Sequence, residues 1–98
     1  MNRSIQIYKF NKVIMSEIFD SIQVSKEIEQ SVDLSFDITD KIHAILERQG
    51  KTHQDLAKLL DKNESEISVW LAGLYNFTLK DIAEIQMVLG EELIYIPK

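Results

Sequence analysis

The sequence predicts an all-α domain, on three observations. Apolar residues recur at helical spacing rather than in alternation, as in Leu56, Leu59 and Leu60 and again in Ile67, Trp70 and Leu71. Side chains that cap helices, Ser25, Thr52, Asn63 and Thr78, each precede such a stripe. Gly50, Gly73 and Gly90 fall where stripes end.

Taken in order, MNRSIQIYKF sets Ile5, Ile7, Tyr8 and Phe10 in a short pattern open to a strand or an arm. From Asn11 to about Gln23, Ile14, Met15, Ile18, Phe19 and Ile22 share one helical face. A stripe that wide needs a partner surface: its own domain's core is the first expectation, an interface with another subunit or a partner protein the alternative. Ser25 starts the next helix, which carries Ile28, Val32, Leu34, Phe36, Ile38, Ile42, Ile45 and Leu46 to Gly50. It is either one helix from about Lys26 to Gln49 or two with a break at Asp33 to Ser35, where DLSFD offers caps.

The stretch KTHQDLAKLLDKNESEISVWLAG, Lys51 to Gly73, holds two short helices at the spacing of a helix-turn-helix. Thr52 caps the first, with Asp55 reaching back. Leu56, Leu59 and Leu60 form its stripe, and Ala57 supplies the small side chain where two steeply crossed axes come closest. Asp61-Lys62-Asn63 is the turn, in which Asp61 takes a left-handed conformation. Asn63 caps the second helix, whose first-turn Glu64 and Glu66 suit its macrodipole. Ile67, Trp70 and Leu71 face inward. Glu64, Ser65, Glu66, Ser68 and Val69 face outward, and Gly73 stops the helix. After a loop in which Asn76 turns the chain and Phe77 plugs the core, Thr78 and Asp81 repeat the capping box. Leu79, Ile82, Ile85 and Leu89 then line a last helix. The tail EELIYIPK is β-rich, with Leu93 and Tyr95 on one face and Ile94 and Ile96 on the other; Pro97 blunts its end.

Thr52, Leu56, Ala57, Leu60, Ile67, Ser68, Trp70 and Gly73 stand in ungapped register with a known pattern, extended by Leu34 to Ile38, Asn76 to Leu79 and Ile82 to Ile85. On these residues the chain resembles the Xre family of helix-turn-helix regulators, whose fold is that of the λ-repressor DNA-binding domain. The flanks are similar to the branch of HigA-type antitoxins. The resemblance covers roughly 33–90 and implies a λ-repressor-like helix-turn-helix bundle with an extra N-terminal helix and a short C-terminal strand or tail. The segments are then 1–32, an arm and helix for packing or oligomerisation; 33–90, the DNA-binding domain; and 91–98, the tail.

Composition bounds this reading. Ninety-eight residues, 45% of them apolar, make one small domain. Cysteine is absent, which suits a cytoplasmic protein, and no apolar run suggests a membrane span or signal peptide. The net charge of −5 is the wrong sign for bulk attraction to phosphate. From Lys51 to Lys80, however, Lys51, Lys58, Lys62 and Lys80 cancel Asp55, Asp61, Glu64 and Glu66, so the acidity lies outside the motif. A neutral motif must lean on helix N-termini and a few lysines, and on a second subunit.

By resemblance, the outward face of the second motif helix enters the major groove, making Glu64, Ser65, Glu66, Ser68 and Val69 the base-reading candidates. Glu can accept from cytosine, Ser can serve either base type, and Val can touch a thymine methyl; no Arg, Gln or Asn there offers a bidentate pair. The competing reading is that the glutamates are solvated charges on a face that no longer binds DNA. Thr52 and His53 occupy the helix start expected at a phosphate, where protonation of His53 near pH 6.5 would help. Lys62 departs from the apolar residue usual at its position, adding a phosphate contact or pointing to water. Tyr75 and Asn76 lie in the loop that touches the DNA backbone in the family. Trp70 belongs to the core.

No nucleophile motif, phosphate loop or metal-ligand spacing is present: His43 and His53 lack a third ligand. Neither enzyme activity nor a cofactor is expected. The expected partners are double-stranded DNA, a second copy of the chain in a homodimer, and a toxin in the antitoxin case. The predicted function is a transcriptional repressor occupying an operator, with a toxin-neutralising protein-binding module as the alternative.

Overall fold

Five helices make up the fold in the computed structural model, which describes residues 3–98: α1 (Arg3–Ser21), α2 (Lys26–Gln49), α3 (His53–Leu60), α4 (Glu64–Leu71) and α5 (Leu79–Leu89). The class is all-α. Among the described residues there is no strand, and no helix is long and apolar enough to cross a membrane.

Each helix from α2 onward begins where the sequence supplies a cap. Ser25 accepts from the Ile28 N–H, and Gly50 closes α2 at φ 67°. Nothing interrupts α2 at 33–35, so the long-helix alternative is the observed one and the segment boundary at 32/33 lies inside it. Thr52 and Thr78 form full capping boxes with Asp55 and Asp81. The turn between α3 and α4 holds Asp61 at φ 55°, the one non-glycine residue of positive φ among those described.

One core joins α2 to α5. Ile42, Ile45 and Leu46 meet Leu56 and Ala57 of α3, Ile67, Trp70 and Leu71 of α4, and Ile82, Ile85 and Leu89 of α5, with Leu93 closing the lower edge. Ala57 is buried, as its place between helices requires. Buried Thr39 donates to the Ser35 carbonyl one turn back, at 2.8 Å.

Helix α1 corrects the expectation at the N-terminus. The strand or arm expected at 1–10 is the first half of α1 from Arg3 onward, while Met1 and Asn2 lie outside the described residues. Its inward line is Tyr8, Asn11, Met15 and Phe19, at helical spacing, with Tyr8 buried and the others half-buried. The Tyr8 ring meets Phe36 edge-on at 5.7 Å, and its hydroxyl donates to the Phe36 carbonyl at 3.0 Å. Of the stripe expected inward, Ile18 and Ile22 are exposed instead, because the docking face is turned toward Tyr8.

The inward positions expected for Leu59 and Leu79 fail for the same reason, that spacing does not say where the neighbours stand. Leu59 is exposed, and so is Leu79 at 78%, since Leu79 sits in the first turn of α5 on the side away from the core. Ile28 and Leu34 are also exposed on α2. The tail is not a strand. Leu93 is buried, and the Gln86 side-chain oxygen accepts both the Leu93 and Ile94 N–H groups, at 2.9 and 3.3 Å, which serves the backbone in place of a ladder. Higher up, Arg48 and Gln49 of α2 clasp Glu91, and Gln49 also donates to the Leu89 carbonyl.

Candidate nucleic-acid interface

The α3–turn–α4 unit is built by short-range hydrogen bonds. The Thr52 hydroxyl accepts the Asp55 N–H at 3.2 Å while the Asp55 carboxylate accepts the Thr52 N–H at 2.8 Å, a bond that holds the Asp55 carboxyl below its ordinary pKa. At the turn, the Asp61 and Lys62 N–H groups return to Lys58 and Ala57 carbonyls, closing α3. Asn63 Oδ1 then accepts both the Glu66 N–H and the Ser65 hydroxyl, each at 2.8 Å, and α4 starts.

Helix α4 buries Ile67, Trp70 and Leu71 and exposes the opposite line of Ser65, Ser68 and Val69, the last at 61%. At about 100° per residue, Glu64 and Glu66 fall on the two borders of that line. Each acidic group there has a local partner. The Lys62 ammonium lies 3.3 Å from the Glu66 carboxylate and 5.4 Å from the centre of the Trp70 ring. Gln54 of α3 donates to Glu64 at 3.2 Å. The centre of the exposed face is therefore neutral: two hydroxyls and an isopropyl group between two occupied carboxylates.

No family model, curated protein or solved structure matches the chain.

The remaining candidates divide. Tyr75 stacks on Trp70, with ring centres 4.9 Å apart at 19°, and meets Phe77 edge-on. Its hydroxyl donates to Asp81 at 2.8 Å, a bond that raises the phenol pKa. The ring is thus part of the wall beneath the loop, while Asn76 beside it is exposed. His53 is turned inward, its ring 6.3 Å from that of His43. Burial and the neighbouring imidazole hold its pKa below the ordinary value, partly countered by Glu64, so the protonation expected near pH 6.5 moves to lower pH.

Three contributors escape a reading by motif: Gln54, His43 and Asn11. His43 is buried on α2, and its Nε2–H donates to the Leu71 carbonyl at 2.9 Å, which fixes the tautomer. Burial lowers its pKa, against the Leu71 bond and Asp40. Asn11 of α1 donates to the next carbonyl, Ala72, at 2.7 Å. Two of the carbonyls left open at the end of α4 are thus filled from α2 and α1. No local spacing signals either bond. Among the described residues, no group of three or more His, Cys, Asp and Glu side chains could hold a metal ion.

Proposed function

We propose that the chain is a sequence-specific DNA-binding regulator of the λ-repressor-like helix-turn-helix type, allied to the Xre family. Helix α4 enters the major groove, Ser65, Ser68 and Val69 meet base edges, and Thr52, Lys62 and Asn76 lie toward the phosphates. Two copies on successive grooves occupy an operator about 34 Å apart and repress by exclusion.

One observation carries the reading. The glutamates that make this helix look hostile to DNA are engaged at its borders by Lys62 and Gln54, leaving a neutral exposed centre. Net acidity elsewhere on the chain lowers affinity for any phosphate surface but does not occupy this face. The test is a salt titration of the protein on DNA from upstream of its own gene against random duplex of equal length. Preference of about a thousandfold supports the reading, and its loss in Ser65→Ala/Ser68→Ala assigns the face. Equal binding to both duplexes, or none, overturns it.

A second reading has one observation in its favour. The outer side of α1 exposes Ile7, Phe10, Val13 and Ile18, as an antitoxin that covers a toxin would. In that case DNA binding is secondary or lost, and Ser65→Ala/Ser68→Ala leaves function intact.

A further inference from the structure

His43 stands where α2 meets three other helices. The Tyr8 ring of α1 lies 5.5 Å from its own and the His53 ring of α3 lies 6.3 Å away, while its Nε2–H donates to the Leu71 carbonyl at the end of α4. Its Nδ1 is buried without a hydrogen-bond partner, in a residue only 3% exposed. A neutral imidazole tolerates that; an imidazolium there would carry a second N–H with nothing to bond. The junction is built for uncharged rings, yet it brings together two that titrate.

The charged groups around the pair come from every side. On α1, Tyr8 stays neutral, its phenol pushed up to about 12, with Lys12 5.9 Å from the centre of its ring. On α2, Asp40 favours the charged form of His43, and on α4, Glu64 favours that of His53. On α3 itself, the Asp55 carboxylate is occupied by the Thr52 N–H. Burial outweighs these carboxylates, and both imidazoles titrate below the ordinary 6.5. The two rings differ in their way out. His43 sits in the body of α2 and could leave only by giving up the Leu71 bond. His53 is the first residue of α3, half-buried beside exposed Thr52, and the capping box that starts α3 uses Thr52 and Asp55 instead of its side chain. Rotation about its own χ1 brings the ring to water with the helix intact.

We infer that His43 and His53 form a proton-operated latch: with both rings neutral His53 is held against His43, and a proton taken up by the pair turns the His53 ring outward beside Thr52, the rest of the domain staying in place. The sign follows from the two positions of the ring. Turned outward it titrates near 6.5 and turned inward below that, so falling pH populates the outward form. The use of the latch rests on the reading of α3 and α4 as a DNA-binding unit; the latch itself does not. In that reading Thr52 lies toward a phosphate, and the released imidazolium joins it there, adding one positive charge to an otherwise neutral motif. At the start of a helix that charge opposes the macrodipole, a penalty that a neighbouring phosphate removes. Binding therefore tightens on mild acidification, the reverse of what a loosening fold would do.

Two measurements on the full chain test this separately. The first is proton NMR of the imidazole resonances without DNA, from about pH 8 to about pH 5, which brackets the ordinary histidine range. Cross-peaks between the His43 and His53 rings are expected at the upper end and should fade as His53 protonates below 6.5, while those between His43 and Tyr8 and the protection of the α3 amides persist. Ring contacts that survive protonation, or α3 amides that lose protection in the same step, overturn the latch. The second is a salt titration on duplex from upstream of the chain's own gene at about pH 8 and about pH 5.5. The slope of log K against log salt should steepen at the lower pH by about 0.9 for each copy bound. His53→Gln should abolish that difference, and His53→Lys, which carries its charge at both pH values, should show the steeper slope at both. Equal slopes for the unaltered chain overturn the phosphate role. If the duplex is not bound at either pH, the DNA reading fails, and the ring contacts alone decide the latch.

Discussion

Gly73 presses its α-carbon against the ring of Phe36. A Cβ built at Gly73 would stand 2.6 Å from Phe36 Cε1 and 2.9 Å from Tyr8 Cδ1, and the residue's φ is +102°. Gly73→Ala is therefore expected to lower stability by about 2–4 kcal/mol, combining left-handed strain with overpacking where α1, α2 and α4 meet. Gly50→Ala, with φ +67° and nothing within 4 Å, meets the strain alone and should cost about 1–2 kcal/mol. Denaturant unfolding of the pair checks this; equal losses would place no weight on the Phe36 contact.

Asp61 holds the left-handed position of the α3–α4 turn at φ 55° and ψ 46°. Asp61→Gly removes the Cβ strain but frees the unfolded chain, so the net gain should be small, up to about 1 kcal/mol. Asp61→Val should lose more than it. A thermal melt that places the glycine variant below the wild type would show the Asp61 side chain contributing something the geometry does not reveal.

His43 sets a pH window. Its folded pKa is depressed below 6.5, so the unfolded chain binds the proton more readily. The stabilisation from keeping it neutral is complete above about pH 6.5 and declines as pH falls through that value toward the folded pKa; His53 adds in the same direction. Asp55 and Asp81, whose pKa values are depressed, act in a lower window, below about pH 4, where their capping bonds are lost on protonation. Melting temperature should therefore drop in two steps on acidification. In His43→Gln the upper step should shrink, and an unchanged step would assign it elsewhere.

Leu93 and Tyr95 separate the tail's two descriptions. A strand would give them one fate, whereas Leu93 is 7% exposed and Tyr95 75%. Leu93→Ala should cost about 2–3 kcal/mol and Tyr95→Ala close to nothing. Comparable losses in urea midpoints would favour a tail that pairs through both.

What could be seen in the sequence was what is settled within one turn of helix. Thr52 with Asp55, Asn63 with Glu66, and Thr78 with Asp81 are partners three residues apart, and the capping chemistry identifies them without the rest of the chain. The left-handed Asp61 follows equally from the length of the turn it occupies. The first half of α1 was hidden because its decisive contacts are remote: Tyr8 answers to Phe36, 28 residues on, and Asn11 to Ala72, 61 residues on. Leu59 and Leu79 went wrong for want of a neighbour to aim at. At the candidate interface the outward residues were legible from spacing, and Lys62 lies within a helical turn of Glu66, but the Gln54 partner of Glu64 depends on how α3 lies across α4, and the inward turn of His53 on where α2 places His43.

The two hydrogen bonds at the close of α4 have a mechanical meaning. His43 and Asn11 hold the Leu71 and Ala72 carbonyls from two different helices, so the far end of α4 is tied to α2 and to α1 at once. Ile67, Trp70 and Leu71 seat the same helix in the core and Gln54 meets its first turn, so cutting the Asn11 tie alone leaves α4 in its place.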